Sequence, residues 1–196
     1  MNAIKSLESL KGMLPEDKAS MLLVYGGLKP SAHIVMQGEP FRSSTDTVHI
    51  KTKLVKKLDV ILSELSLSSV VTYEIMVARS SDEHTMLQEV MRIYVAPSTE
   101  IANQLKVAFD HVSENHTYIG TLLGYPDTAV TAFLTKNMLD WDNHPLSTDE
   151  VSEDNMRLLG HRLSKNNWRK EVEYLERYGN FLKQVSPAIY SEITKS

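Results

Sequence analysis

His111 and His116 suggest a pair of metal ligands, with Asp110 and Glu114 close by in sequence. Imidazole changes charge near neutral pH, and a nearby carboxylate can orient it. On one continuous helix, however, five residues turn through about 500°, so the two rings point about 140° apart and cannot share an ion. Asp110, His111 and Glu114 would share a face, which reads as a solvated cluster with local charge effects. His116 falls on an apolar stripe, where a hydrogen-bonded core histidine is expected. If the chain carries a reactive or binding site, its candidates are His116 as acid or base, Asp110 or Asp127 as carboxylates, and Tyr118 and Tyr125 as orienting groups.

These residues converge on the stretch HTYIGTLLGYPDTAVTAF, residues 116–133. Its odd composition suits a tight corner between two helices. Gly124 can adopt the left-handed conformation that ends a helix. Pro126 lacks an N–H that the first turn of the next helix would leave unpaired. Asp127 favours the positive end of that helix, and Gly120 and Ala129 are small enough for close approach. The segment LLGYPDTAV resembles the Leu-Gly-Tyr-Pro-x-Cys-Cys turn of a group of uncharacterised prokaryotic proteins. The resemblance covers Leu123, Gly124, Tyr125, Pro126 and the start of the following helix. Thr128 and Ala129 stand where the paired cysteines would be, so no thiol role carries over. The second helix, with one lysine and no arginine, lacks the basic face of a DNA-reading helix.

Other constellations fail on inspection. DWDNHPLSTDEV begins like a calcium loop with Asp140 and Asp142, but Pro145 replaces the sixth-position glycine and Val151 the twelfth-position glutamate. No phosphate-binding glycine loop and no nucleophile elbow occurs. HRLSKNNWRKEVEY gathers Arg162, Lys165, Arg169 and Lys170 around Trp168, as a phosphate-contacting face would. Glu171, Glu173 and Glu176 interrupt it, so an amphipathic helix with Trp168 turned inward is expected. No cofactor and no metal site is predicted. Cysteine is absent, which excludes disulfides, thiolate metal sites and thiol nucleophiles.

The elements that must position these residues are legible as periodicities. Residues 3–30 read as two short helices, the second opened by Pro15 and closed by Gly26 and Gly27. Ala32, Ile34 and Met36 alternate with polar or mixed neighbours as a strand does. Leu54, Leu58, Ile61 and Leu65 recur at helical spacing, with Lys53, Lys56 and Lys57 off the stripe. Two alternating runs around Val71–Val77 and Met91–Val95 predict an antiparallel hairpin. Pairing Ile75 with Met91, Tyr73 with Ile93 and Val71 with Val95 would set Glu74 opposite Arg92. Ser98 caps a helix that runs either unbroken from about 99 to 123 or with a break near 113–115. Ser147 and Glu150 have capping-box spacing for a helix ending at Gly160. Ser164 is expected to cap the last long helix, on the apolar stripe Trp168, Val172, Leu175 and Leu182. Ser186-Pro187 opens a terminal one.

The expectation is therefore an α+β fold: a small antiparallel sheet from about 31–37, 69–79 and 88–96, followed by a helix-rich half. It is read as one domain over 1–196, with a division into 1–98 and 99–196 as the alternative. A chain of 196 residues with 42% hydrophobic content can bury roughly 70% of its unfolded surface. No apolar run reaches the length of a membrane span or a signal peptide, so a cytoplasmic protein without membrane partners is expected. Residues 99–160 carry 10 acidic and 3 basic side chains, and residues 161–196 carry 4 acidic and 7 basic. The acidic middle argues against broad nucleic-acid binding. Contact with nucleic acid through the basic tail helix is the weakest of the readings. With no catalytic constellation surviving, a non-enzymatic role through self-association or a protein partner is expected. The alternative is a small-molecule-binding protein or enzyme with a pocket near the 116–128 corner. Nine methionines suit adaptable contacts and core filling alike.

Overall fold

The computed structural model describes residues 2–38, 41, 52–80, 85–140 and 152–195. The chain is α+β. Helices α1 (Ala3–Glu8) and α2 (Pro15–Tyr25) come first, then strand β1 (Ala32–Gln37) and helix α3 (Thr52–Glu64). The hairpin β2 (Ser68–Ser80) and β3 (Thr85–Ala96) follows. Helices α4 (Thr99–Asp110), α5 (His116–Leu122), α6 (Asp127–Leu134), α7 (Glu153–Met156), α8 (Trp168–Val185) and α9 (Pro187–Lys195) complete the described chain. The capping-box pair Ser147 and Glu150, and most of the calcium-like segment, lie outside the described residues. Helix α7 is four residues long and stops well before Gly160.

The sheet is antiparallel with strand order β1-β3-β2, so β3 is central. Because side chains alternate across a strand, β3 serves two cores. Met91, Ile93 and Val95 point into a large cluster with α1, α2, α3, α8 and α9, which draws on residues from Ala3 to Ile193. Tyr94 points to the opposite face, where Leu105, Ala108, Ile119, Leu122 and Leu123 of the α4–α5 region pack on it. On that face His33 of β1 stacks on Tyr94 at 5.0 Å and meets Phe109 at 4.0 Å.

The hairpin register differs from expectation by two residues. Val71 lies opposite Ile93 and Tyr73 opposite Met91. A two-residue shift preserves which side chains share a face, so hydrophobic alternation alone does not distinguish the two registers. Glu74 and Arg92 still meet, diagonally rather than directly: Arg92 Nε donates to Glu74 Oε1 at 2.7 Å. The expected face of Asp110, His111 and Glu114 does not form, because α4 ends at Asp110 and His111 caps it. The 99–123 segment is thus two helices, with the break at 111–115.

The 116–133 stretch is a corner between α5 and α6. Gly124 takes φ +75°, and Tyr125 N returns a hydrogen bond to Gly120 O at 2.9 Å. A Cβ on Gly120 would lie 2.6 Å from Val130 Cγ2, so the two helices touch there through a missing side chain. Gly120→Ala is expected to cost about 1–3 kcal/mol, the range for forcing one methyl group into a packed contact. Adding Val130→Ala should recover part of that loss. Urea midpoints of the two single variants and the double one check the coupling.

Candidate functional site

The α5–α6 corner forms one wall of a cavity of about 250 Å³. His116, Ile119 and Gly120 come from α5, and Ala129, Val130 and Phe133 from α6. Tyr125 comes from the turn between them, and Gly160, His161 and Arg162 from the segment leading into α8. The apolar floor follows from the helix-helix contact at Gly120. Among the described residues the rim carries imidazole and guanidinium groups and no carboxylate.

Two contacts hold the 160–164 segment against the corner. The Tyr125 hydroxyl donates to Gly160 O at 2.8 Å. On the far side of His161, the Tyr174 hydroxyl of α8 lies 3.1 Å from Nδ1 and 3.2 Å from Nε2. The Tyr125 and His161 rings are 4.8 Å apart, and His161 stacks on Tyr174 at 5.7 Å. Burial pushes His161 down to about 4, Glu171 opposes that shift, and Lys29 adds to it. His161 is therefore a neutral imidazole at neutral pH. Burial likewise raises the Tyr125 and Tyr174 hydroxyls, which stay protonated as donors.

The sequence candidates separate in space. His116 and Tyr125 both line the cavity. His116 is exposed rather than in the core, its ring edge-on to Phe133 at 5.3 Å. The stripe that carried it inward assumed a continuous helix, and the break at 111–115 resets the phase. Asp110 pairs with Lys106 on the outer face of α4. Tyr118 is exposed and reaches Gln104 at 3.4 Å. Asp127 opens α6 and borders a different, polar concavity with Thr128, Ser164 and Asn167. On the sequence Arg162 figures only in the phosphate-like pattern set aside above, and His161 is not a candidate. The signal available was a histidine-arginine pair directly after a glycine.

Glu171 is also not what its neighbours in sequence suggest. It is 1% exposed. Its Oε1 accepts from Thr128 Oγ1 at 2.5 Å and Ser164 Oγ at 2.6 Å, and its Oε2 accepts from Ser164 N at 2.7 Å. Helix α8 begins at Trp168 rather than at Ser164, although Ser164 Oγ does accept from Asn167 N at 3.0 Å. One carboxylate thereby ties α6, the loop and α8 together behind the cavity.

A second surface is the hairpin. Strand β2 exposes Tyr73 (51%), Ile75 (53%) and Val77 (60%) on the face that Met91 turns into the core. Leu87 exchanges two 2.8 Å backbone hydrogen bonds with Phe41 on the β1 side, and Glu89 O accepts from Gly38 N at 2.9 Å. Backbone groups alternate in direction along a strand. Residues Tyr73, Ile75 and Val77, opposite Met91, Glu89 and Leu87, therefore aim their N–H and C=O groups away from the sheet. Among the described residues no strand pairs with that edge. A bulge between Val77 and Arg79 ends the regular stretch.

Among the described residues no group of three or more His, Asp or Glu side chains could hold a metal ion, and no helix is long and apolar enough to cross a membrane. Compared with known proteins, the chain matches no family model, no curated protein and no solved structure.

Proposed function

We propose that this protein acts through association, pairing with a second copy of itself along the outer edge of β2. The observation that carries the reading is the edge at Tyr73, Ile75 and Val77, unpaired among the described residues, where outward backbone groups and exposed apolar side chains coincide. Such an edge is a template for another strand, and a bare one of this length invites uncontrolled pairing unless a defined partner takes it. An antiparallel edge is self-complementary about a two-fold axis. Centred on Ile75, the pairing sets Ile75 against Ile75 of the second copy and Tyr73 against Val77, an aromatic–β-branched pair. It also keeps the two Glu74 carboxylates out of direct opposition, which a two-residue step of the register sum towards Glu74 would impose. The bulge after Val77 limits the paired length and so limits further growth.

Native mass spectrometry and light scattering test the reading. The wild-type chain is expected at twice 22.2 kDa. Ile75→Lys places charge at the two-fold axis and is expected to yield a folded monomer with unchanged far-UV circular dichroism. Val60→Lys, on an exposed residue of α3, should leave the dimer intact. A wild-type monomer at high protein concentration would sink the reading, as would a dimer indifferent to Ile75→Lys.

A further inference from the structure

The corner cavity is independent of the β2 edge, and it is formed from the residues where the sequence is most unusual. We infer that it binds a small monocarboxylate whose body is apolar, through Arg162 and His116 at the rim and Phe133, Val130 and Ile119 beneath.

Three observations converge on that class. The first is charge. Arg162 is exposed and has no acidic partner among the described residues. Among the described residues the lining contains no Asp or Glu, because Asp127 turns to the neighbouring concavity and Glu171 is spent on Thr128 and Ser164. A guanidinium offers a planar fork of donors that matches a carboxylate. The exposed His116 adds a ring N–H donor. The second observation is the floor. Ile119, Ala129, Val130 and Phe133 present only carbon, so the rest of the ligand must be apolar to gain from entering. The third is pre-organisation. Tyr125 is fixed to Gly160, His161 is stacked between Tyr125 and Tyr174, and Gly120 sits against Val130, so the walls are set before a ligand arrives. The volume, about 250 Å³, is at the small end for ligand sites and fits one ring or a short chain rather than a nucleotide or a peptide.

The probes are benzoate, phenylacetate and hexanoate, each paired with its uncharged amide and titrated into the full chain by protein-detected NMR. The expected result is saturable binding of at least one acid, with shifts centred on the His116 and His161 ring protons and the Phe133 ring. Its amide should bind at least about tenfold more weakly, as loss of a charge-assisted pair implies. Arg162→Gln, at an exposed position that should not disturb folding, should weaken the acid by a similar factor. Phe133→Ala should weaken acid and amide alike. Three results would each overturn the proposal: no saturable binding by any of the three acids, equal binding of acid and amide, or affinity unchanged by Arg162→Gln. Shifts confined to residues outside the cavity would overturn it too.

Discussion

Replacing Glu171 by alanine is expected to destabilise the fold by on the order of 3 kcal/mol, which for a chain of this size lowers Tm by roughly 10 °C. The carboxylate is buried and accepts three hydrogen bonds, from the Thr128 hydroxyl, the Ser164 hydroxyl and the Ser164 amide. Truncation leaves those donors in an enclosed space, and each unsatisfied buried polar group costs about 1–3 kcal/mol. Glu171→Gln should fall between wild type and Glu171→Ala. Its carbonyl oxygen can keep the two hydroxyls, but its amide nitrogen then faces the Ser164 N–H, donor against donor. Urea denaturation of the three proteins measures the order. A loss below about 1 kcal/mol for Glu171→Ala would place this carboxylate with ordinary surface residues. The change also bears on the cavity, because the same carboxylate holds α6 against the segment carrying His161 and Arg162. Any ligand affinity should therefore fall with stability in Glu171→Ala, whereas in Arg162→Gln it should fall alone.

Much of this architecture is written in local patterns. Pro15, the Gly26-Gly27 pair, Ser98 and Ser186-Pro187 mark boundaries that the structure keeps, because each acts within one helical turn. Ser186 Oγ accepts from Ile189 N at 3.3 Å as a cap should. The corner at Gly124 is legible for the same reason. The features that escaped are those fixed by distant partners. The hairpin register depends on β1 and on the bulge at Val77/Arg79, and alternation is blind to a shift of two. His116 was placed inward by a periodicity that held across a break it could not see. Glu171 sits among Glu173 and Glu176 in sequence, yet its environment comes from Thr128, 43 positions away. His161 gains its role from Tyr125 and Tyr174, on either side of it in space. Half of the candidate cavity, His116 and Tyr125 on the corner, could be read locally, and the half built by tertiary return could not.

Stability should fall as pH drops from about 6.5 towards about 4. Burial pushes both His33 and His161 down to about 4, with Arg92 adding to the effect at His33 and Lys29 at His161, while Glu171 opposes it at His161. Unfolded histidine titrates near 6.5. Between these values the unfolded chain binds two protons that the folded chain refuses, so the two residues favour folding above 6.5 and progressively less below it. Asp17 works the other way. Burial, and Glu16 beside it, raise its carboxyl to about 6, so below that pH the folded chain binds a proton the unfolded chain does not. Asp17 is partly exposed, and solvent screening reduces its share. The two histidines outweigh the one carboxyl, which leaves a net slope on the order of 1 kcal/mol per pH unit between about 4 and 6. His33→Phe isolates one contributor. The ring keeps its stack on Tyr94 and Phe109, and the substitution removes the buried Nε2 that has no hydrogen-bond partner among the described residues. It is expected to add about 1 kcal/mol at neutral pH and to flatten the acid slope, since His161 alone then opposes Asp17. Urea denaturation of wild type and His33→Phe at closely spaced pH values decides the matter. An acid slope of equal steepness in the two proteins would mean that His33 is as free to take a proton in the folded chain as in the unfolded one.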